Sequence, residues 1–473
     1  MVFSSSLFLL FFFPTFLIIY FLIGKKMKNI FALLASIFFY SWGAPTFIFI
    51  VLGSIIIDFY IVKFLNESTV RNKKILLVLS IILNVGLLAY FKYANFFIEN
   101  LNVFLYQTGF TQVGWTRVAL PIGISFFTFQ KLTYSIDVYR NINVPLKKIT
   151  DYALYILMFP QLIAGPIVRY NEIADQLVDR SANENINNRL TGFFRFVIGL
   201  SKKVLIANVL GEVVDQIFEL PPHELSTYLA WMGVIAYAFQ IYFDFSGYSD
   251  MAIGIGRMIG FRFPENFNNP YISKNITEFW HRWHITLGRW MRDYLYIPLG
   301  GNRVPKARMY FNLWVVFLIC GFWHGAAWNF VFWGVFHGIF LIADKVFLLK
   351  FYKTIGKIPS IIITFFIVLI GWVFFRADNI SIAWLYLERM FTFEPTQSSV
   401  YLDLKFFVIL GIATFFSFWG GFQAIEKWQK KLFNTEQRNN TIYGMFVFSV
   451  IFLILCVASI TSTGFNPFIY FRF

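Results

Sequence analysis

Apolar runs of spanning length recur along the whole chain, separated by short stretches that hold most of the lysines and arginines. A bilayer core takes about 20 consecutive apolar helical residues. On that measure the candidate spans are 6–23, 30–42, 45–64, 75–97, 118–138, 151–168, 192–217, 227–248, 309–325, 326–346, 359–376, 402–424 and 443–462, some of them short, re-entrant or interfacial. The pattern predicts an all-α, polytopic helical integral membrane protein, with about 11 transmembrane helices and re-entrant or interfacial helices around a central tunnel. A β-barrel would alternate apolar and polar residues along each strand, and that alternation is absent.

Residues 30–64 fix the orientation. At about 1.5 Å per residue this run would reach ~52 Å as one helix, too far for a single span. Trp42-Gly-Ala-Pro45 is therefore read as a hairpin break. The break puts Lys25–Lys28 and Arg71–Lys74 on one face, the cytoplasmic one under the bias of basic residues toward that side. The N-terminus then lies outside the cytoplasm. Residues 7–23 carry no preceding positive charge and no small-residue cleavage site, which predicts an uncleaved first span rather than a signal peptide. The polar segments 169–191, 262–275, 300–308 and 426–441 are too short to bury cores of their own. Residues 1–473 are read as a single integral-membrane domain.

Composition agrees with this reading. The chain is 58% hydrophobic and 14% charged, against about a quarter charged in a soluble domain. Its net charge of +15 would suggest nucleic acid as a partner for a soluble protein. In a membrane protein, cytoplasmic charge bias and anionic lipid account for it, so membrane lipids are the expected partners and nucleic acid is not. Cys320 and Cys456 both lie in apolar runs, which predicts neither a disulfide framework nor a zinc site.

Candidate chemistry concentrates in two places. Residues 275–297 are read as one amphipathic helix, opened by Asn275 with Glu278 three residues on. Ile276, Phe279, Trp280, Trp283, Leu287, Trp290, Met291 and Tyr294 fill its apolar arc. His284 falls at the margin of that arc and His281 on the charged face, so His284 is the one suited to a buried site. Arg282, Arg289 and Arg292 are candidates for holding an acyl donor, in a region (271–308) with seven basic residues against two acidic ones. A di-iron site would need two Glu-x-x-His elements. Only Glu278-x-x-His281 is present, so no metal is expected.

His324 lies in Gly321-Phe-Trp-His-Gly325, inside an apolar run. An ionisable side chain at membrane depth is costly and is a functional candidate for that reason. The flanking glycines allow close packing or a kink. Trp280, Trp283, Trp323, Asn329 and Asp244 are candidates for lining a substrate tunnel. His337, on roughly the opposite face, is expected to make a structural hydrogen bond. Cys320 is one turn before His324, close enough for a Cys–His pair, but a buried cysteine is commonly a small hydrophobe. Asp250 is read as structural.

Several strings together resemble the membrane-bound O-acyltransferase family, in its branch of bacterial alginate and peptidoglycan O-acetyltransferase membrane subunits. They are Phe159-Pro-Gln-Leu-Ile-Ala-Gly-Pro-Ile167, Tyr242-Phe-Asp-Phe-Ser-Gly-Tyr-Ser-Asp250, Phe279-Trp-His-Arg-Trp-His-Ile-Thr-Leu287, Arg292-Asp-Tyr-Leu-Tyr-Ile-Pro-Leu-Gly-Gly-Asn-Arg303 and Gly321-Phe-Trp-His-Gly-Ala326. The opening Met-Val-Phe-Ser-Ser and the closing Phe-Ile-Tyr-Phe-Arg-Phe are similar as well. The resemblance implies a catalytic histidine at His324 and a second functional position at His284, which would polarise the acyl carbonyl or orient His324. It also implies acetyl-CoA as donor substrate with no bound cofactor, a polysaccharide acceptor, an extracytoplasmic esterase-like acetyltransferase partner and a bacterial inner membrane. Two alternatives are D-alanyl transfer to teichoic acid from a carrier-protein thioester, and a proton-coupled polymer or lipid transporter.

Overall fold

The computed structural model describes residues 1–393, 400–434 and 439–464, and among these every regular element is helical. The closing string at 468–473 and part of the polar segment 426–441 lie outside the described residues. Six described helices are long and apolar enough to cross a membrane: Phe47–Glu67, Val70–Gln107, Trp328–Ile355, Lys357–Arg376, Leu404–Gly421 and Asn440–Ser462. Phe8–Leu22 is apolar but shorter. The chain forms two compact units, Leu7–Glu184 with Ile259–Pro264, and Asn185–Met258 with Glu265 onward and Val2–Ser6.

In the first unit, α1 (Phe8–Leu22), α2 (Lys28–Gly43), α3 (Phe47–Glu67) and α4 (Val70–Gln107) follow the predicted runs. The break between α2 and α3 falls at Ala44-Pro45-Thr46, where proline has no N–H to continue a helix. Two expected spans are reshaped. The span expected at 118–138 is a helix only from Ile124 (α5, Ile124–Tyr139), because Pro121 and the left-handed Gly123 (φ 78°) precede it. A Cβ on Gly123 would lie 2.6 Å from the Leu162 carbonyl oxygen. The span expected at 151–168 is two short helices, α6 (Ile149–Leu157) and α7 (Phe159–Leu162), with Pro160 in the first turn of α7. Groups freed at this break are met by side chains: Phe159 N–H donates to Ser36 Oγ at 3.1 Å, and Gln161 Nε2 to Tyr155 O at 2.6 Å.

Asp58 on α3 is fully buried yet well partnered. Ser80 Oγ (2.6 Å) and Asn84 Nδ2 (3.0 Å) donate to its Oδ1, and the Tyr152 hydroxyl donates to its Oδ2. Such satisfied polar clusters join helices where water cannot. Beside the start of α2, Lys28 pairs with Glu184, and Arg180 Nη1 donates to Asn29 Oδ1 at 2.6 Å. One end of α2 and residues 180–184 therefore share a side.

The last α-helix of the first unit by sequence is α8 (Tyr170–Val178); the second unit has α9 (Ile186–Ser201), which continues through a π turn at Lys202–Ala207 into α10 (Asn208–Phe218). α9 packs on α11 (Thr227–Met258) at near-backbone distance. A Cβ on Gly199 would meet Gly247 O at 2.4 Å, and one on Gly254 would meet Gly192 O at 2.6 Å. Small residues at such a crossing let helix backbones approach closely. Most of α11 is buried, so it faces protein rather than lipid and tolerates Gln240, Asp244 and Asp250. Their charges are matched: Lys203 Nζ lies 2.7 Å from Asp244, Lys202 Nζ 2.7 Å from Asp250, and Arg195 Nη2 2.6 Å from both Asp250 and Glu265. The structural reading of Asp250 fits this pairing.

The expected single helix over 275–297 is interrupted. The chain forms α12 (Ile276–Arg282) and α13 (Ile285–Met291), followed by a π turn at Arg292–Tyr296. The break is at His284, which is left-handed at φ 44°, ψ 53°. After it come α14 (Lys306–His324), α15 (Trp328–Ile355), α16 (Lys357–Arg376), α17 (Ile380–Phe391), α18 (Leu404–Phe418), α19 (Gln423–Asn434) and α20 (Asn439–Thr463).

Candidate active site

His324 is the last residue of α14, and Gly325 leaves the helix in an extended conformation. Both glycines of the motif are there for space. A Cβ on Gly321 would lie 2.3 Å from Phe330 O, and one on Gly325 would lie 2.2 Å from the Phe330 ring. The α14–α15 turn is thereby drawn tight, and the imidazole is pressed among aromatic rings. Trp323, Trp333 and Phe375 surround it at centroid distances of 4.8, 5.2 and 5.2 Å, all nearly edge-to-face. His324 is 6% exposed.

Trp323 joins the two histidines, its ring lying 6.3 Å from His284 as well as 4.8 Å from His324. His284 is 1% exposed and packs edge-on against Phe245 at 4.7 Å. Its Nδ1 is 3.1 Å from Asn266 Oδ1, and its Nε2 is buried with no hydrogen-bond partner among the described residues. Burial pushes its pKa down from 6.5 to about 3, because the low-dielectric surroundings disfavour the charged form. Burial thus favours the neutral ring at His284.

The other predicted residues separate into groups. Trp283 is buried in an aromatic cluster with Trp372 (4.9 Å) and Phe267 (5.1 Å). Trp280 packs on Trp333 (5.4 Å) and His337 (5.1 Å). The indole N–H groups of Trp280 and Trp333 are both buried without an acceptor among the described residues. Asn329 closes the end of α16, donating to Ala377 O at 2.7 Å and Phe374 O at 3.3 Å, and Asp244 is held by Lys203. Asn329 Oδ1 is buried without a hydrogen-bond partner among the described residues.

Two of the three arginine candidates pair with carboxylates close in sequence. Arg282 Nε donates to Glu278 Oε1 at 3.0 Å, Arg292 Nε to Asp293 Oδ1 at 2.7 Å, and Arg289 is exposed. His281 is exposed too, on the charged side as expected. His337 shows no hydrogen bond at Nδ1, contrary to the expected one, and is wedged between Trp333 and Trp280. Asn275 caps α12 by accepting the Glu278 N–H at 2.7 Å, but Glu278 returns to the Lys274 N–H, one residue earlier than a capping box requires. Asp344, on α15, anchors the same first turn through Thr277 N and Oγ1, both 2.8 Å from its Oδ2.

Two cavities lie in this unit. One, of about 180 Å³, is polar and is lined by Arg195, Ser246, Ser249, Asn266, Asn269 and Gln429. The other, of about 570 Å³, is a bowl lined by Phe218, Leu220, Pro221, Arg376, Asp378 and Tyr386. Ser246 and Ser249 stand well along α11, whereas the bowl includes the loop just before its first residue, so roughly 30 Å of helix separates them. Asn266, which holds His284, lines the small cavity; neither histidine lines either cavity itself.

The second unit thus holds a buried imidazole in an aromatic enclosure and separate cavities near two different stretches of α11. The membrane-bound O-acyltransferase family profile matches residues 124–384. The chain belongs to that family, and it is a multi-pass membrane O-acyltransferase. It is 43% identical over 401 residues to a Pseudomonas aeruginosa protein named "Probable alginate O-acetylase AlgI", covering 84% of this chain and 76% of that one. It is 40% identical over 425 residues to the peptidoglycan O-acetyltransferase of Helicobacter pylori, covering 82% and 80%. Similarity to the teichoic acid D-alanyltransferase of Streptococcus thermophilus is lower, 29% over 283 residues, covering 56% and 66%.

Proposed function

We propose that this protein takes an acetyl group from a cytoplasmic thioester, acetyl-CoA, and passes it outward for O-acetylation of an extracytoplasmic polysaccharide such as peptidoglycan or an alginate-like glycan. The observation that carries this is His324, a buried imidazole boxed by Trp323, Trp333 and Phe375 where water is scarce. The greater similarity to O-acetyltransferases than to the D-alanyltransferase favours acetyl as the cargo.

In the reaction, an acceptor hydroxyl oxygen attacks the thioester carbonyl carbon while His324 takes the hydroxyl proton. The carbonyl electron pair moves onto oxygen, giving a tetrahedral oxyanion. That pair then returns, the C–S bond breaks, and the proton passes from His324 to the departing sulfur, leaving ester and thiol. The oxyanion needs a donor. The unpaired N–H of Trp333, in the ring against His324, is suited to it. The aromatic walls exclude water, which would otherwise hydrolyse the thioester.

The polar cavity beside Asn266 is the donor entrance and the bowl beside Arg376 the exit toward acceptor or an esterase-like partner. Placement of the lysine-rich α19 by the small cavity supports a cytoplasmic face there under the charge rule. The N-terminus then lies outside the cytoplasm of a bacterial inner membrane. The test is reconstitution in vesicles loaded with radiolabelled acetyl-CoA. Label should reach external glycan hydroxyls, whereas proton flux without acyl transfer would make the protein a transporter.

A further inference from the structure

The hydrogen-bond donors around Asn266 define which nitrogen of His284 carries the proton. Asn266 Oδ1 accepts from the Thr286 backbone N–H at 3.3 Å and from Thr286 Oγ1 at 2.8 Å. A backbone N–H can only donate, so the atom facing it is the amide oxygen and not the amide nitrogen. The amide nitrogen in turn faces Ser249 Oγ at 3.1 Å. The same oxygen lies 3.1 Å from His284 Nδ1, and an oxygen acceptor requires a proton on that nitrogen. A neutral imidazole has one N–H, so Nε2 is left as a bare lone pair. It is the nitrogen buried without a partner among the described residues.

The backbone supports the same arrangement. His284 adopts left-handed φ/ψ, a conformation that L side chains disfavour. The turn is held by the Asn266 main chain too, Ile285 N–H donating to Asn266 O at 2.9 Å. Strain of this kind persists where the surroundings over-determine it, often at functional sites. An unpaired buried acceptor is also costly, so this corner of the unit suits a ligand that brings a donor.

We propose that Asn266 is a positioning residue that locks His284 in its Nδ1–H tautomer, so that Nε2 receives an N–H or O–H of the substrate and does not meet its carbonyl oxygen. This rests on the acyl-transfer reading of the site, and it reverses one role expected for His284. A bare nitrogen cannot polarise a carbonyl, so that work falls to another donor. His284 instead fixes a donor-bearing group, an acceptor hydroxyl or an amide N–H of the thioester arm, beside Trp323 and His324.

The test reads the tautomer directly, by nitrogen NMR of ¹⁵N-histidine-labelled full-length protein in lipid nanodiscs. The chain has five histidines, and His284→Gln assigns the signal. The expected result is a neutral Nδ1–H imidazole in the resting wild type. Asn266→Leu should release the lock and lower kcat for acetyl transfer from acetyl-CoA by about tenfold or more, with KM for acetyl-CoA little changed. Asn266→Asp should keep the Nδ1 proton and restore part of kcat. It should also move the pH profile upward, since a carboxylate against Nδ1 favours the imidazolium. The nearby carboxylates Glu265 and Asp250 are held by Arg195 and Lys202, so the new charge stands out. A wild-type proton on Nε2 overturns the proposal, as does an Asn266→Leu protein with unchanged tautomer and kcat. Because the wild-type spectrum, once assigned with His284→Gln, needs no turnover, a wrong tautomer is distinguishable from a wrong assignment of His324 as the base.

Discussion

At the scale of single residues, the enclosure of His324 makes separable demands on its neighbours. Trp333→Phe keeps an aromatic wall but removes the N–H, so it should lower kcat by about a hundredfold, the size expected for one oxyanion donor, while the protein folds normally. Steady-state acetyl transfer checks this, and an unaltered kcat assigns the donor elsewhere. His284, held neutral by burial with a pKa near 3, should contribute no inflection between pH 5 and 8. Its protonated form is the one destabilised, so lowering the pH through that range leaves it uncharged. The pH–rate profiles of wild type and His284→Asn should therefore have the same shape there, differing in height.

His324 was conspicuous in the sequence as an imidazole in an apolar run, and His284 stood out at the margin of an amphipathic arc. The residues that act on them were not conspicuous. Asn266 sits in a polar loop 18 positions before His284, and no local periodicity connects the two. Trp333 is one aromatic among many until folding places it against His324. The partner of Asp244 was findable, since Lys203 is also a charge inside an apolar run and a buried carboxylate needs a counter-ion.

At the scale of elements, close helix contact carries the second unit. A leucine at Gly199 would drive a side chain into the Gly247 carbonyl, which a Cβ alone would approach to 2.4 Å. Gly199→Leu should destabilise by at least about 1–3 kcal/mol, the usual cost of overpacking, and thermal unfolding followed by tryptophan fluorescence measures it. The element that sequence reasoning drew wrongly is the helix over 275–297. Its apolar positions fit one continuous wheel, and they fit two short helices equally well. What breaks it is tertiary: the Asn266 main chain and side chain bind the turn at 284–286, and Asp344 holds the first turn of α12. The split at 151–168 carried a clearer local sign, Pro160 in mid-run. Hairpin breaks at Pro45 and the spans around them were readable because proline and length leave little choice.

At the scale of the whole molecule, the account requires access from both sides. Both native cysteines are buried, so a single introduced thiol can report its side. Gln429→Cys, lining the small polar cavity, should react with a membrane-impermeant maleimide only from the cytoplasm. Leu220→Cys, in the bowl, should react only from outside. Labelling of both from one face would contradict the proposed route.

The most direct measurement is the ester-linked acetate released from cell-envelope glycans, quantified by mass spectrometry in cells whose only copy of this protein is wild type or His324→Ala. The account predicts that the acetate falls to the level of cells lacking the protein, with His324→Ala present in the membrane at normal abundance. Wild-type acetylation by that variant would contradict it.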